Sequence, residues 1–305
     1  AAISESFRAI SSTREIMMFC RGFFSPTTAI KIYKQWGGSA VEKIKANPFR
    51  LCSDFYGISF KKADHIAEMI GIGKDNAERI RSGIAYILSN EAQRNGHTCL
   101  SKSDLLSFAS DLLGVGQDKL ETEILNMIKS DDIASVLING TRMIALHKYL
   151  RAEKFIAKKL MQLNKMCVRV DAGDTGRLIF NIENTHGIKY AAMQRKAIET
   201  ALLDGVIILT GGPGTGKTTV IRGLISIFDS LGLDVALAAP TGRAAKRMSE
   251  ATSYEAMTVH RLLEMEYNEN DEPKFVRNQA NPLDAEVFII DESSMIDVML
   301  LEAFL

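Results

Sequence analysis

The chain has 305 residues, 46% of them hydrophobic and 24% charged, which excludes bulk disorder and leaves room for about two domains. Lysines and arginines number 37, as do aspartates and glutamates, so a net charge of zero neither favours nor opposes a polyanionic partner, and local patches must decide. No apolar run reaches the length of a membrane span, no signal-like segment opens the chain, and the four cysteines form no C-x-x-C pair, so reduced thiols in a cytoplasmic protein are expected.

Residues 1–90 read as short helices broken by turns. A helix is expected over Ser12–Phe19. Ser25 is a good N-cap and Pro26 suits the first helical position, so a second helix opens there with Ala29, Ile30, Ile32 and Tyr33 on its apolar side. Asn47-Pro48 marks a break. Tyr56-Gly57-Ile58-Ser59-Phe60 is a tight turn into a helix from Lys61 to Ile70; Gly71-Ile72-Gly73 ends it, and Asp75 to Ser89 forms the next. Small helices joined by glycine-bearing turns suggest helix-hairpin-helix units, which hold nucleic-acid phosphates through amides and cations without reading sequence. Lys31, Lys34, Lys43, Lys45, Lys61 and Lys62 would supply the charge; the same pattern equally fits an ordinary helical domain with solvated lysines. Trp36 reads as a core plug.

Residues 91–165 have a different texture. Helices are expected from Ser103 to Leu113 and from Asp118 to Ile128. The strand-like runs Ile133–Ile138 and Thr141–Leu146 flank Asn139-Gly140, the strongest short hairpin signal. Two helices and a hairpin resemble a winged helix. His97 and His147 stand singly and read as structural. Lys148 to Leu163 is a long amphipathic helix with Lys154, Lys158 and Lys159 on a solvated basic face. Asp171 to Gly187 is polar and turn-rich, so residues 166–187 read as a linker, with a further domain over 188–305 that opens on a helix from Tyr190 to Leu203.

From Gly205 onward, strands alternate with helices, which implies a parallel sheet. Val206–Thr210 reads as a buried strand and Thr219–Ser230 as a helix, and between them Gly211-Gly212-Pro213-Gly214-Thr215-Gly216-Lys217-Thr218 fits G-x-x-x-x-G-K-[ST] at every fixed position. Glycines let the backbone curl so that its N–H groups point at phosphate oxygens, and the following helix adds the positive end of its dipole. Lys217 supplies a movable cation for the β- and γ-phosphates, and Thr218, followed by Thr219, offers a hydroxyl to Mg²⁺. Val287–Ile290 is a second buried-strand run and ends in Asp291-Glu292. Carboxylates at that edge suit a Mg²⁺ partner, Asp291, and a base that orients and deprotonates water, Glu292. Asp234–Ala239 is a third strand and runs into Pro240-Thr241-Gly242-Arg243, where a hydroxyl, helix N-terminal amides and an arginine set up a phosphate-contact site one strand away. Tyr267–Glu272 reads as an exposed acidic loop.

These segments together resemble RecD-like DNA helicases of superfamily 1B. The resemblance rests on Met193-Gln194-Arg195, the glycine loop, Ala239–Ala245, Thr258-Val259-His260-Arg261-Leu262-Leu263 and Asp291-Glu292-Ser293-Ser294-Met295, in that order. Ser25-Pro26, Asn47-Pro48-Phe49, Tyr56–Asp64 and Gly96-His97-Thr98 are similar to the N-terminal region of the stand-alone RecD-like type. The resemblance implies an incomplete α/β P-loop NTPase (RecA-like) motor lobe, preceded by a mainly α region with helix-hairpin-helix and winged-helix-like parts. It implies a helicase that uses ATP and Mg²⁺ to move 5′ to 3′ on single-stranded DNA, with Gln194 reading the adenine. Thr241, Arg243, Thr258 and His260, with Pro240 and Gly242 beside them, would contact DNA; His260 equally reads as a residue packed or capping locally. Ser59 stands where the family's hairpin turn carries glycine, which keeps that backbone from a close approach to phosphate. The second motor lobe and its arginine are expected beyond these residues, so the chain reads as the N-terminal part of something longer, without turnover of its own. A non-motor DNA-binding ATPase switch is the alternative.

Overall fold

The computed structural model describes residues 2–20, 22–55, 57–167, 169, 171–268 and 273–305; Tyr56 of the first turn and residues 269–272 of the acidic loop lie outside them. The chain divides into two compact units, residues 1–150 with 267–272, and residues 151–266 with 273–305.

Among the described residues the first unit opens with six α-helices: α1 (Ala2–Phe19), α2 (Pro26–Trp36), α3 (Ala40–Ala46), α4 (Arg50–Asp54), α5 (Phe60–Met69) and α6 (Ala77–Asn95). Local sequence sets their starts. Ser25 caps α2 by accepting the Thr28 N–H at 3.2 Å, and Asn76 caps α6 by accepting the Arg79 N–H at 3.1 Å. Ile16, Ile32, Ile44, Leu51 and Ile66 form one core. Trp36 plugs it, edge-on to Phe55 at 4.9 Å, with Lys43 and Arg50 over its ring. The α5–α6 hairpin is locked by a buried guanidinium. Arg79 Nε and Nη2 donate to Asp64 at 2.6 and 2.9 Å, and Nη1 donates to the carbonyl oxygens of Lys74 and Leu113 at 3.1 and 2.9 Å.

The unit continues through β1 (Cys99–Ser101), α7 (Lys102–Leu113), α8 (Gln117–Lys129), β2 (Ile133–Ile138) and β3 (Thr141–Leu146). The strands form an antiparallel sheet in the order β1-β3-β2. Asn139 and Gly140 turn the β2–β3 hairpin with φ of 49° and 79°, as a two-residue primed turn requires. Helix, strand, two helices and a two-stranded wing, with the last strand in the middle of the sheet, is a winged-helix arrangement. Ile84, Leu105, Leu120, Ile124 and Ile144 are its fully buried core.

Helix α9 (His147–Met166) carries the chain into the second unit. There follow α10 (Ala172–His186), α11 (Ala192–Leu203), α12 (Lys217–Ser230), β4 (Val235–Ala239), α13 (Gly242–Thr252), β5 (Ala256–Thr258), α14 (Val259–Leu262), β6 (Met265–Tyr267), β7 (Pro273–Phe275), β8 (Val287–Ile290) and α15 (Val298–Phe304). Strands β5, β4 and β8 form a parallel sheet in that order, and β6 pairs with β7. The parallel sheet after a helical region is what the alternation of elements predicts.

Two expectations change here. Residues 166–187 are not a linker throughout, since most of the segment is α10. Ile179 and Ile182 pack with Tyr190, Ile198, Val220 and Leu224, but their short apolar stripe is diluted by polar neighbours. Residues 206–210 are not a paired, buried strand: they carry no strand pairing, and Ile208 is 84% exposed. A strand needs a ladder partner, and among the described residues the outer edge of β8 has none. For the same reason β8 is half-buried along its length rather than buried.

Candidate nucleotide site and strand-end edge

The glycine loop joins residues 206–210 to α12, whose first residue is Lys217. Gly216 has φ of 83°, which favours glycine, and a Cβ on it would displace the Gln194 side-chain amide. Gly214 is also left-handed, with φ of 76°. Pro213 and Gly214 form the turn itself. Thr215 Oγ1 donates to the Gly212 carbonyl at 2.9 Å and braces the loop across its base. Lys217 Nζ donates to the carbonyl oxygens of Gly211 and Gly212 at 2.7 and 3.0 Å. A cation resting on those oxygens has a short path to phosphate oxygens, and no atom stands within 4 Å of where a Gly212 side chain would point. Thr218 and Thr219 follow in the first turn of α12, beside the positive end of its dipole.

Gln194 belongs to this loop as much as to its own helix. Its Oε1 accepts the Ala191 N–H at 3.0 Å, closing the start of α11, and its Nε2 donates to the Thr215 carbonyl at 3.1 Å. Glu183, within the segment read as a linker, supports the same helix start: its buried carboxylate accepts the Tyr190 N–H at 2.9 Å and faces Arg195 Nη1 at 3.4 Å. The helical spacing of Leu178, Ile179 and Ile182 is the signal that would have brought Glu183 into view.

Parallel strands all end at one edge, and this is what gathers the remaining residues. Ala238 of β4 pairs with Met257 of β5 on one side and with Ile290 of β8 on the other, so the residues that follow each strand leave the sheet together. After β4 come Pro240 and Thr241. Thr241 caps α13 by accepting the Ala244 N–H at 3.2 Å, which leaves its hydroxyl proton available. Gly242 and Arg243 begin that helix, exposed. Thr258 caps α14 in the same way, through the Arg261 N–H at 3.1 Å. His260 leans on Phe275, ring centroids 6.3 Å apart, which is the local packing its sequence context equally allowed. After β8, the Asp291 N–H continues the ladder to the Ala238 carbonyl at 3.0 Å, and Asp291 Oδ1 accepts the Glu292 N–H at 2.9 Å. Glu292 is left-handed, with φ of 52°, and exposed. A non-glycine residue held there is strained, a feature that concentrates at functional sites.

The donor set suits Mg²⁺. Thr218 and Asp291 offer hard oxygens, and no group of three or more His, Cys, Asp or Glu among the described residues forms a protein-only metal cage. Magnesium is ordinarily held by one or two protein oxygens together with substrate phosphates.

Two family models match the chain: the ATP-dependent RecD2 DNA helicase HHH domain over residues 9–99, and the AAA domain over residues 194–305. The ATP-dependent RecD2 DNA helicase of Deinococcus radiodurans is 29% identical over 276 residues, which is 88% of this chain and 37% of that protein. The RecBCD enzyme subunit RecD of Mycobacterium tuberculosis is 30% identical over 271 residues, 78% of this chain and 43% of that subunit. The chain resembles RecD-like helicases over most of its length. It spans about two-fifths of the length of these curated relatives. An HHH domain over residues 9–99 is thus followed by a P-loop AAA domain over residues 194–305. The AAA-domain match also implies nucleotide use. No helix among the described residues is long and apolar enough to cross a membrane.

Proposed function

We propose that this RecD-like chain belongs to an ATP-dependent DNA helicase that moves 5′ to 3′ on single-stranded DNA in the cytoplasm. The observation that carries the reading is the shared strand-end edge. One sheet aims Asp291-Glu292 and the Thr241 and Thr258 helix caps from a common edge, in the same unit as the glycine loop. Asp291-Glu292 facing the nucleotide and a DNA backbone on the caps would then be served by adjacent strands of one sheet.

Each residue has a defined task in this scheme. The amides of Gly212 to Thr219 surround the phosphates, and Gln194 contacts the adenine. Lys217 leaves the Gly211 and Gly212 carbonyls for the β- and γ-phosphates. Thr218 and Asp291 hold Mg²⁺, which neutralises charge on the phosphates when bound. Glu292 takes a proton from the attacking water. Pro240, Thr241, Gly242, Arg243, Thr258 and His260 line the DNA side, with Thr241 and Arg243 reaching the phosphates. Contacts of that kind hold the strand without reading its sequence.

Lys217→Ala in the full-length protein is expected to lower nucleotide affinity and DNA-stimulated ATP hydrolysis by at least about a hundredfold. Hydrolysis at the wild-type rate would refute the assignment. Displacement of a strand from a duplex with a 5′ single-stranded tail, and not from one with a 3′ tail, is the expected polarity. A protein that binds the tail and hydrolyses ATP without displacing any strand would be the non-motor switch instead.

A further inference from the structure

The segment that delivers the chain to the glycine loop has no strand partner among the described residues, yet its first two amides are not left to water. Asn164 Oδ1, near the C-terminal end of α9, accepts the Gly205 N–H at 3.1 Å and the Val206 N–H at 3.3 Å. A side-chain amide oxygen has two lone pairs, so one atom can hold both amides and do the work of a ladder. The backbone approach is very close. A Cβ on Gly205 would lie 2.3 Å from Cys167 Sγ and 2.7 Å from the Leu163 carbonyl oxygen, so only glycine lets this segment reach the helix end. The helix end is itself tied down, because the Cys167 N–H donates to the Leu163 carbonyl at 3.1 Å and Arg169 Nη2 donates to the Asn164 carbonyl at 2.9 Å. Further along, Leu209 packs against the core shared by α10, α11 and α12. Asn164 thus fixes one end of the segment, and Leu209 fixes the other, two residues before Gly211.

The geometry points to Asn164 as a positioning residue for the nucleotide site: its side-chain oxygen anchors the loop-entry segment at Gly205-Val206 and so sets where the glycine loop begins. The inference rests on the proposal that the loop binds nucleotide. Phosphate oxygens need several N–H groups in register at once, so an anchored loop entry favours binding by reducing the ordering cost.

The test uses the full-length protein and a fluorescent nucleotide, mant-ADP, with circular dichroism confirming that each variant folds. Asn164→Ala is expected to weaken mant-ADP binding about tenfold, from two lost amide contacts of ordinary strength. Asn164→Asp keeps the accepting oxygen and is expected to stay within about twofold of wild type. Gly205→Ala leaves Asn164 in place but forces the segment away from Cys167, and is expected to weaken binding as Asn164→Ala does, which keeps the test open if Asn164→Ala fails to fold. Folded Asn164→Ala or Gly205→Ala protein that binds as wild type overturns the inference, as does an Asn164→Asp variant no better than Asn164→Ala. Lys217→Ala serves as the reference: if it too binds normally, the nucleotide reading has failed; if it alone loses binding, only the role of Asn164 has.

Discussion

Gln194 shows how much of a site a motif can locate and how much it cannot. Its position before the glycine loop was legible, and so was every residue of the loop, because G-x-x-x-x-G-K-[ST] describes a purely local backbone geometry. Its partners were not legible. The Thr215 carbonyl lies 21 residues away, and only the folded chain shows that Gln194 Nε2 donates to it. One N–H and one lone pair of the amide are spent on Thr215 and Ala191, and one of each remains for a base. A residue that both supports the loop and contacts adenine has a distinct signature. Gln194→Ala is expected to weaken binding of inorganic tripolyphosphate about fivefold as well as that of ATP, from one lost hydrogen bond. Competition against mant-ADP measures both. Unchanged tripolyphosphate affinity would show that Gln194 serves the base alone and that its bond to Thr215 is idle.

At the scale of elements, helices with strong caps and a continuous apolar stripe were legible, and those without were not. The β2–β3 hairpin follows from Asn139-Gly140, and α2 from Ser25-Pro26, because each depends on residues next to it in the chain. Helix α10 was hidden because its apolar contacts are few and widely diluted. Residues 206–210 were misread because alternation and apolarity report strand propensity, whereas strand formation needs a neighbour. Also invisible was the tie between helices α5, α6 and α7 through Arg79. Asp64 is its charged partner, and removing that carboxylate leaves a buried guanidinium facing only carbonyls. Breaking a buried pair is costly, and with Asp64 one-quarter exposed the loss for Asp64→Ala is expected near 2–4 kcal/mol. Urea denaturation followed by circular dichroism measures it. Asp75→Ala is the contrast, since its pair with Lys119 is exposed on both sides and should matter by less than about 1 kcal/mol. Equal, small effects from both would mean that Arg79 does not hold the hairpin.

Over the whole molecule, a net charge of zero removes general electrostatic attraction as a reason to bind DNA, so affinity has to come from placed groups. The parallel sheet gives a physical reason for such placement: Arg243 starts the helix that leaves β4, while Asp291 leaves the neighbouring β8. Under the proposed function, coupling between nucleotide and DNA sites on this edge would be reciprocal. Whatever factor single-stranded DNA applies to the affinity for a non-hydrolysable ATP analogue, the analogue must apply to the affinity for DNA. Arg243 separates this from simple crowding of sites. Arg243→Ala is expected to weaken oligonucleotide binding by a salt-dependent amount, lowering the slope of log affinity against log salt by about 0.7, the value of one phosphate contact on a single strand. It should leave analogue affinity without DNA unchanged and shrink the coupling factor in both directions equally. Fluorescence anisotropy of a labelled oligonucleotide across a salt series, with and without analogue, reads all three quantities. An unaltered salt slope would remove Arg243 from the DNA path. A lower slope with full coupling retained would place the contact there but assign the communication between sites to another route.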